Sequence, residues 1–217
     1  MKNMRKQYIV LGLGRFGASV ACHLGERGHE VLAVDSNEDL VSAVAPFVTQ
    51  AIQADATDES VLNELDLASF DAAVVAIGTN VRDSILVSVL CKEAGIPLVI
   101  AKAVDDLHAK VLRKIGVDRI VFPERDMGLR VARSLDAPNI IDLMELSGDY
   151  QIAEILTPEK WRGRTMLDVN VRRNYGLTIL GVRRGEQFIP SPDAEWVFCE
   201  GDILLVMGKT KDIERVD

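Results

Sequence analysis

The feature that most constrains this chain is a glycine turn set between a short strand and a helix. Residues 8–11 form an apolar run that leads straight into Gly12, Leu13, Gly14, Arg15, Phe16 and Gly17, where a helix-like stretch begins. In such a turn the first glycine permits a tight reversal and the second lets backbone approach a pyrophosphate. The third allows the helix to pack closely on the strand. The helix start contributes unpaired N–H groups and a dipole that favours an anion. Few architectures other than a parallel strand–helix–strand unit meet all of these demands.

The rest of the first half repeats that unit. Strand-like runs are expected at 8–11, 30–34, 49–54, 72–77, 98–101 and 119–122, with helical periodicities between them, such as Val20 with Leu24 and Ile85 with Val89. Gly28, Gly95 and Gly116 each follow a helical segment and suit its left-handed C-terminal cap. Strands alternating with helices imply an α/β, Rossmann-like doubly wound parallel sheet. After Ser134 the rhythm changes, and residues 140–146 could be strand or helix. From Tyr150 onward, strand-like runs at 151–156, 177–182 and 203–207, a turn at Arg184 and Gly185, and a closing helical segment read as a second, smaller α+β domain. The expected division is 1–137 for the first domain, 138–149 for a connector and 150–217 for the second.

Composition narrows the function. The formal charge of -8 argues against nucleic acid as a partner, since such binding gains affinity from Lys and Arg neutralising phosphates. No apolar run approaches the roughly 18 residues of a membrane span. The opening MKNMRKQ carries no signal-peptide pattern, which points to the cytoplasm. Cys22, Cys91 and Cys199 are too dispersed for a disulfide framework or thiolate metal cluster and are expected to be buried small hydrophobes.

Candidate ligand-binding residues gather at the carboxyl ends of the expected strands, the rim where open parallel sheets hold ligands. Asp35 ends the second strand, 18 residues beyond Gly17, where a carboxylate accepts ribose hydroxyls and repels a 2'-phosphate. Ser36 and Asn37 follow it, and all three are also good helix caps. The third strand ends in Asp55, Ala56 and Thr57, suitably placed for an adenosine, and the fourth in Ile77, Gly78, Thr79 and Asn80. Arg15, inside the turn, carries five donors that could meet a terminal phosphate, or one held by a neighbouring subunit. His23, His29 and His108 show no catalytic or metal spacing, and no GxxxxGK[ST] loop supports ATP hydrolysis. Sensing fits these residues better than turnover.

Taken in order, IVLGLGRFG, VLAVDSNE, DATD, VVAIG with Thr79 and Asn80, IAKA and RIVFPERDMG resemble the RCK (KTN) domain of regulators of bacterial Trk- and Ktr-type potassium transporters. DVNVRRNYG and DILLVMG resemble its associated C-terminal domain. The resemblance implies a regulatory subunit that binds ATP, ADP or NAD(H) and gates a membrane potassium channel. It implies homodimers joined in an octameric ring, cytoplasmic but peripheral to the membrane through the channel. Gly12 to Gly17 would hold phosphates, Asp35 the ribose and Arg15 a terminal phosphate across the dimer, with Lys102 of the IAKA segment also in the nucleotide site. Glu124 would contribute to a Mg or Ca site; a bland alternative is a carboxylate favoured at a helix start. Some relatives bind cyclic di-AMP in the C-terminal domain, which would involve Arg172, Thr178, Ile179 and Pro190; Thr178 departs from the Asn often found there. Two other readings are weighed: an NAD-dependent oxidoreductase, and an NADH-sensing transcriptional regulator, for which the expected DNA-binding segment does not precede the turn.

Overall fold

The computed structural model describes residues 5–78, 80–136 and 139–216, and the chain divides into two compact units, Met1–Pro123 and Glu124–Asp217. The first unit alternates strands and helices in chain order: β1 (Gln7–Leu11), α1 (Arg15–Glu26), β2 (Glu30–Asp35), α2 (Glu38–Val44), β3 (Gln50–Gln53), α3 (Glu59–Glu64), β4 (Ala72–Val75), α4 (Val81–Glu93), β5 (Val99–Lys102), α5 (Asp106–Lys114) and β6 (Arg119–Val121). Its six strands are all parallel, in the order β3-β2-β1-β4-β5-β6. The order reverses between β1 and β4, which makes that rim the topological switch point where ligands of such sheets bind.

Why these runs become central strands follows from the period of two. Ile9, Leu11, Val34, Ala73 and Val75 face one side, where Val87 and Cys91 of α4 and Ala109 and Leu112 of α5 cover them. Val10, Val31, Ala33 and Val74 face the other, against Ala21 of α1 and Val41 and Val44 of α2. Strands buried on both faces read as continuous apolar runs, as these do. The three expected capping glycines take positive φ, +82° at Gly28, +79° at Gly95 and +87° at Gly116.

The second unit comprises α6 (Pro123–Asp136, most of whose length lies in it), β7 (Ile140–Ser147), β8 (Tyr150–Leu156), α7 (Met166–Val169), α8 (Val171–Tyr175), β9 (Thr178–Arg184), β10 (Gln187–Pro190), β11 (Ile203–Lys209) and α9 (Thr210–Ile213). Its sheet is antiparallel, ordered β10-β9-β11-β8-β7. Strands β8 and β11 alternate buried and partly exposed positions, the pattern of a sheet with one covered face. That face packs on Trp161, Leu177 and Phe198, with Trp161 edge-on to Tyr175 at 4.9 Å between centroids.

Within the segment expected as a connector, 138–149, the stretch left open between strand and helix is β7, which pairs with β8, a partner that local sequence could not reveal. Compact packing divides the chain after Pro123. One reading changes. Of the cysteines only Cys91 is buried, with its thiol pushed up to about 12 by desolvation, whereas Cys22 is partly exposed and Cys199 exposed.

Candidate nucleotide site

The carboxyl ends of β1 to β4 open onto one cleft of about 380 Å³. Gly12, Gly14, Asp35, Ser36, Asn37, Asp55, Ala56, Thr57, Ile77 and Gly78 line it, together with Val34, Leu40, Ala54, Ala76 and Asp83. Segments far apart in sequence thus meet because β3, β2, β1 and β4 are consecutive neighbours in the sheet.

The three glycines have separate roles. Gly12 has φ +97°, and a Cβ there would meet the backbone of Ala76 and Ile77 at 3.0 Å, so the turn rests directly on the end of β4. Gly17 lies beneath it, where a Cβ would fall 1.9 Å from the Gly12 carbonyl oxygen. Gly14 has nothing within 4 Å of its Cβ position and an unstrained φ of −60°, so it keeps the approach to the backbone open. Gly14 is also the N-cap of α1, where no side chain caps the first turn and no acidic residue stands in it. By contrast α2, α3, α4 and α5 are capped by Asn37, Asp58, Asn80 and Asp105. Helix α1 alone among these presents an uncapped N-terminus to the cleft, a place suited to phosphate.

Asp35 holds the turn as well as facing the cleft. Its Oδ2 accepts the Leu13 N–H at 2.6 Å and its Oδ1 the Asn37 N–H at 2.8 Å, and the capping of α2 falls to Asn37. A carboxylate oxygen has more than one lone pair, so ribose hydroxyls can still be accepted. Asp55 accepts both the N–H (2.8 Å) and the hydroxyl (2.7 Å) of Thr57, which stiffens the β3 end of the cleft. Asp58 caps α3, and the Ser60 hydroxyl and N–H hold its carboxyl below the usual range.

Other expected residues do not line the cleft. Phe16 packs among the apolar side chains between α1 and the sheet, and Arg15 is exposed at the first position of α1. Asn80 accepts the Arg82 N–H at 3.0 Å as a cap, and the Lys102 amine lies against Gly78, 3.0 Å from where a Cβ would stand. Thr79 lies outside the described residues. The expected site residues did not include Val34, Leu40, Ala54, Ala76 or Asp83; for Asp83 the signal was its position one turn into the helix that follows the expected rim segment.

In the second unit, Arg172, Thr178 and Ile179 line a separate cavity of about 350 Å³ with Met166, Leu167, Asn170, Val171, Leu177 and Ala194. Pro190 is not among its lining residues; it ends β10, opposite Gly181 of β9, and the apolar wall comes instead from Met166, Leu177 and Ala194. Glu124 stands in the first turn of α6 beside Asp126. Among the described residues no group of three or more His, Cys, Asp or Glu forms a metal cluster, and no helix is long and apolar enough to cross a membrane.

Comparison with known proteins places these features in context. A TrkA-N domain model matches residues 8–123 and a TrkA-C domain model residues 151–217. The chain is 44% identical to Ktr system potassium uptake protein C of Bacillus subtilis over 214 residues, covering 99% of this chain and 97% of that protein. It is 41% identical to Ktr system potassium uptake protein A of Vibrio alginolyticus, covering 96% and 94%. In fold it is similar to the GsuK channel bound to NAD, with a TM-score of 0.68 and 21% identity, over 98% of this chain and 39% of that one.

Proposed function

The chain belongs to the family that joins a TrkA-N to a TrkA-C domain and includes the Ktr potassium uptake proteins, and on that premise we propose that it is an adenine-nucleotide-binding regulatory subunit that gates a membrane potassium channel. The observation that carries this reading is the cleft that joins the uncapped start of α1 to the Asp35 carboxylate. The lining residues offer N–H groups, hydroxyls and carboxylates but no imidazole or phenol, which favours binding over hydride transfer. ATP, ADP and NAD(H) share the adenosine and first phosphates that such a cleft recognises. The likeness to the NAD-bound GsuK channel concerns fold, and NAD enters here as one of these candidates.

Gating then follows from linkage. A ligand shifts a ring between two shapes only by its differential affinity for them. Arg15, exposed and without a partner among the described residues, is assigned to a terminal phosphate held by a neighbouring subunit. Exposed Leu86, Leu107 and Leu135 supply apolar surface for a homodimer and an octameric ring. Glu124 is assigned to a Mg or Ca ion, and the location is cytoplasmic, at the membrane through the channel.

The reading is tested by titrating ATP and ADP into the protein and two variants. Arg15→Ala is expected to weaken ATP by about 1.5 to 3 kcal/mol, roughly 10- to 150-fold, and ADP much less. Asp35→Ala weakens both, through the shared ribose and the turn it holds. Equal losses for ATP and ADP in the Arg15 variant would show that this arginine does not read the last phosphate. Tight NADH binding with NADH oxidation and no affinity for ATP would favour the oxidoreductase.

The cavity at Arg172 is assigned to cyclic di-AMP. Calorimetric titration should give saturable binding that Arg172→Ala weakens by about tenfold or more, the range for a charge-assisted contact. No heat from the unaltered protein removes this ligand from the scheme.

A further inference from the structure

Among the described residues, the cleft holds one carboxylate that no hydrogen bond or ion pair engages. Asp83 is the third residue of α4, whose N-cap is Asn80. In a capping box the residue at that position reaches back to the N-cap N–H. Asp168 does so in α7, accepting the Thr165 N–H at 3.3 Å. Asp83 does not: it is half-buried on the cleft wall, and no hydrogen bond or ion pair reaches its carboxylate among the described residues. Asp35 and Asp55, the other two carboxylates in the lining, are both occupied by N–H groups.

Sheet order says which part of a ligand meets it. From β3 to β4 the rim carries Asp55, then Asp35, then the glycine turn, then Ala76 to Gly78 leading to Asp83. With the ribose at Asp35 and the first phosphates on the turn, the remainder of the ligand extends toward α4. The Lys102 amine against Gly78 already has a partner of its own, and a carboxylate at that end repels a further phosphate unless a divalent cation stands between them. It accepts hydrogen bonds from the hydroxyls of a second nucleoside without one.

We propose that Asp83 sets the specificity of the cleft's far end, admitting a nucleoside polyphosphate as its divalent-cation complex while accepting a dinucleotide that carries no cation. The inference rests on the nucleotide-binding reading above. It concerns a residue on the cleft wall that meets the ligand itself, distinct from the assignment of Glu124.

Calorimetric titration of the full chain with ATP in excess Mg²⁺, ATP in EDTA, and NAD⁺ in EDTA tests it, using the unaltered protein, Asp83→Asn and Asp83→Glu. In the unaltered protein, removing Mg²⁺ should weaken ATP by about tenfold or more, the scale of one unscreened charge contact at a partly buried site. NAD⁺ should bind in EDTA. Asp83→Asn should bind ATP in EDTA within about twofold to threefold of its Mg²⁺ value, and Asp83→Glu, which keeps the charge, should retain the penalty. Thermal unfolding of each variant verifies that the fold is kept. An EDTA penalty of the same size in Asp83→Asn, or none in the unaltered protein, overturns the proposal while leaving nucleotide binding intact. Absence of any nucleotide binding by the unaltered protein overturns both.

Discussion

Gly17→Ala is expected to destabilise the first unit by about 3 kcal/mol or more and to remove most nucleotide affinity, whereas Gly14→Ala should leave stability unchanged and reduce affinity alone. The reason is local. The Gly17 Cβ would stand 1.9 Å from the Gly12 carbonyl oxygen and 3.0 Å from the Ala76 Cβ, so backbone, not a flexible side chain, has to move. Gly12 has little room to yield, since it already sits against the backbone of Ala76 and Ile77. The displaced turn carries the N–H groups assigned to phosphate, and each charge-assisted hydrogen bond lost costs about tenfold in affinity. At Gly14 an added methyl meets nothing of the protein, so any loss there measures how closely a ligand approaches the backbone. Thermal unfolding followed by far-UV circular dichroism, with parallel nucleotide titrations, separates the two effects. An unchanged midpoint for Gly17→Ala would show that the turn tolerates the shift, and unchanged affinity for Gly14→Ala would show that no phosphate lies over it.

Arg184→Ala should destabilise the second unit by about 3 kcal/mol near neutral pH and flatten the loss of its stability on acidification. Asp202 has no exposed surface, and its carboxylate takes Nε and a terminal guanidinium nitrogen of Arg184, each at 2.7 Å, and the Cys199 N–H at 2.9 Å. Arg184 also lies over the Trp196 ring, 4.4 Å from its centroid. Burial alone pushes the Asp202 carboxyl up, but Arg184 and the Cys199 N–H together outweigh it and hold the carboxyl below the usual carboxylate range. A depressed folded pKa means stability that is full above the ordinary aspartate value of about 4 and is lost as pH falls through the lower folded value. Removing the cation leaves a buried charge, for which losses of about 3 to 5 kcal/mol are usual; the 44% exposure of the Arg184 side chain argues for the lower end. Without Arg184 a main cause of the depression is gone, and the folded pKa rises. The variant therefore loses less stability than the unaltered protein as pH falls through the carboxylate range. Both tryptophans, Trp161 and Trp196, belong to the second unit, so denaturant titrations read by tryptophan fluorescence across this range report on it. Parallel pH profiles for the variant and the unaltered protein would show that Asp202 does not depend on this arginine.

The sequence by itself determined the first sheet and half of its ligand chemistry. Strands buried on both faces write their apolar runs without interruption, helices write theirs with a 3.6-residue period, and the glycines after α1, α4 and α5 mark ends that only a left-handed residue closes easily. Gly12, Gly14, Asp35 and Asp55 were legible for the same reason, because a strand end in a parallel sheet is a rim whatever its neighbours are. Tertiary structure decided which groups share a cleft and which merely cap. Asn37 does both, lining the cleft and capping α2, whereas Asn80 caps α4 and is not in the lining, a difference that depends on where each following helix begins. Asp83 lay one turn inside a helix, and its use emerges only from the capping box it does not close. In the second unit, β7 stayed open between strand and helix and β10 escaped notice, because an antiparallel strand is stabilised by its partner, and neither partner nor register is written in a short window of sequence.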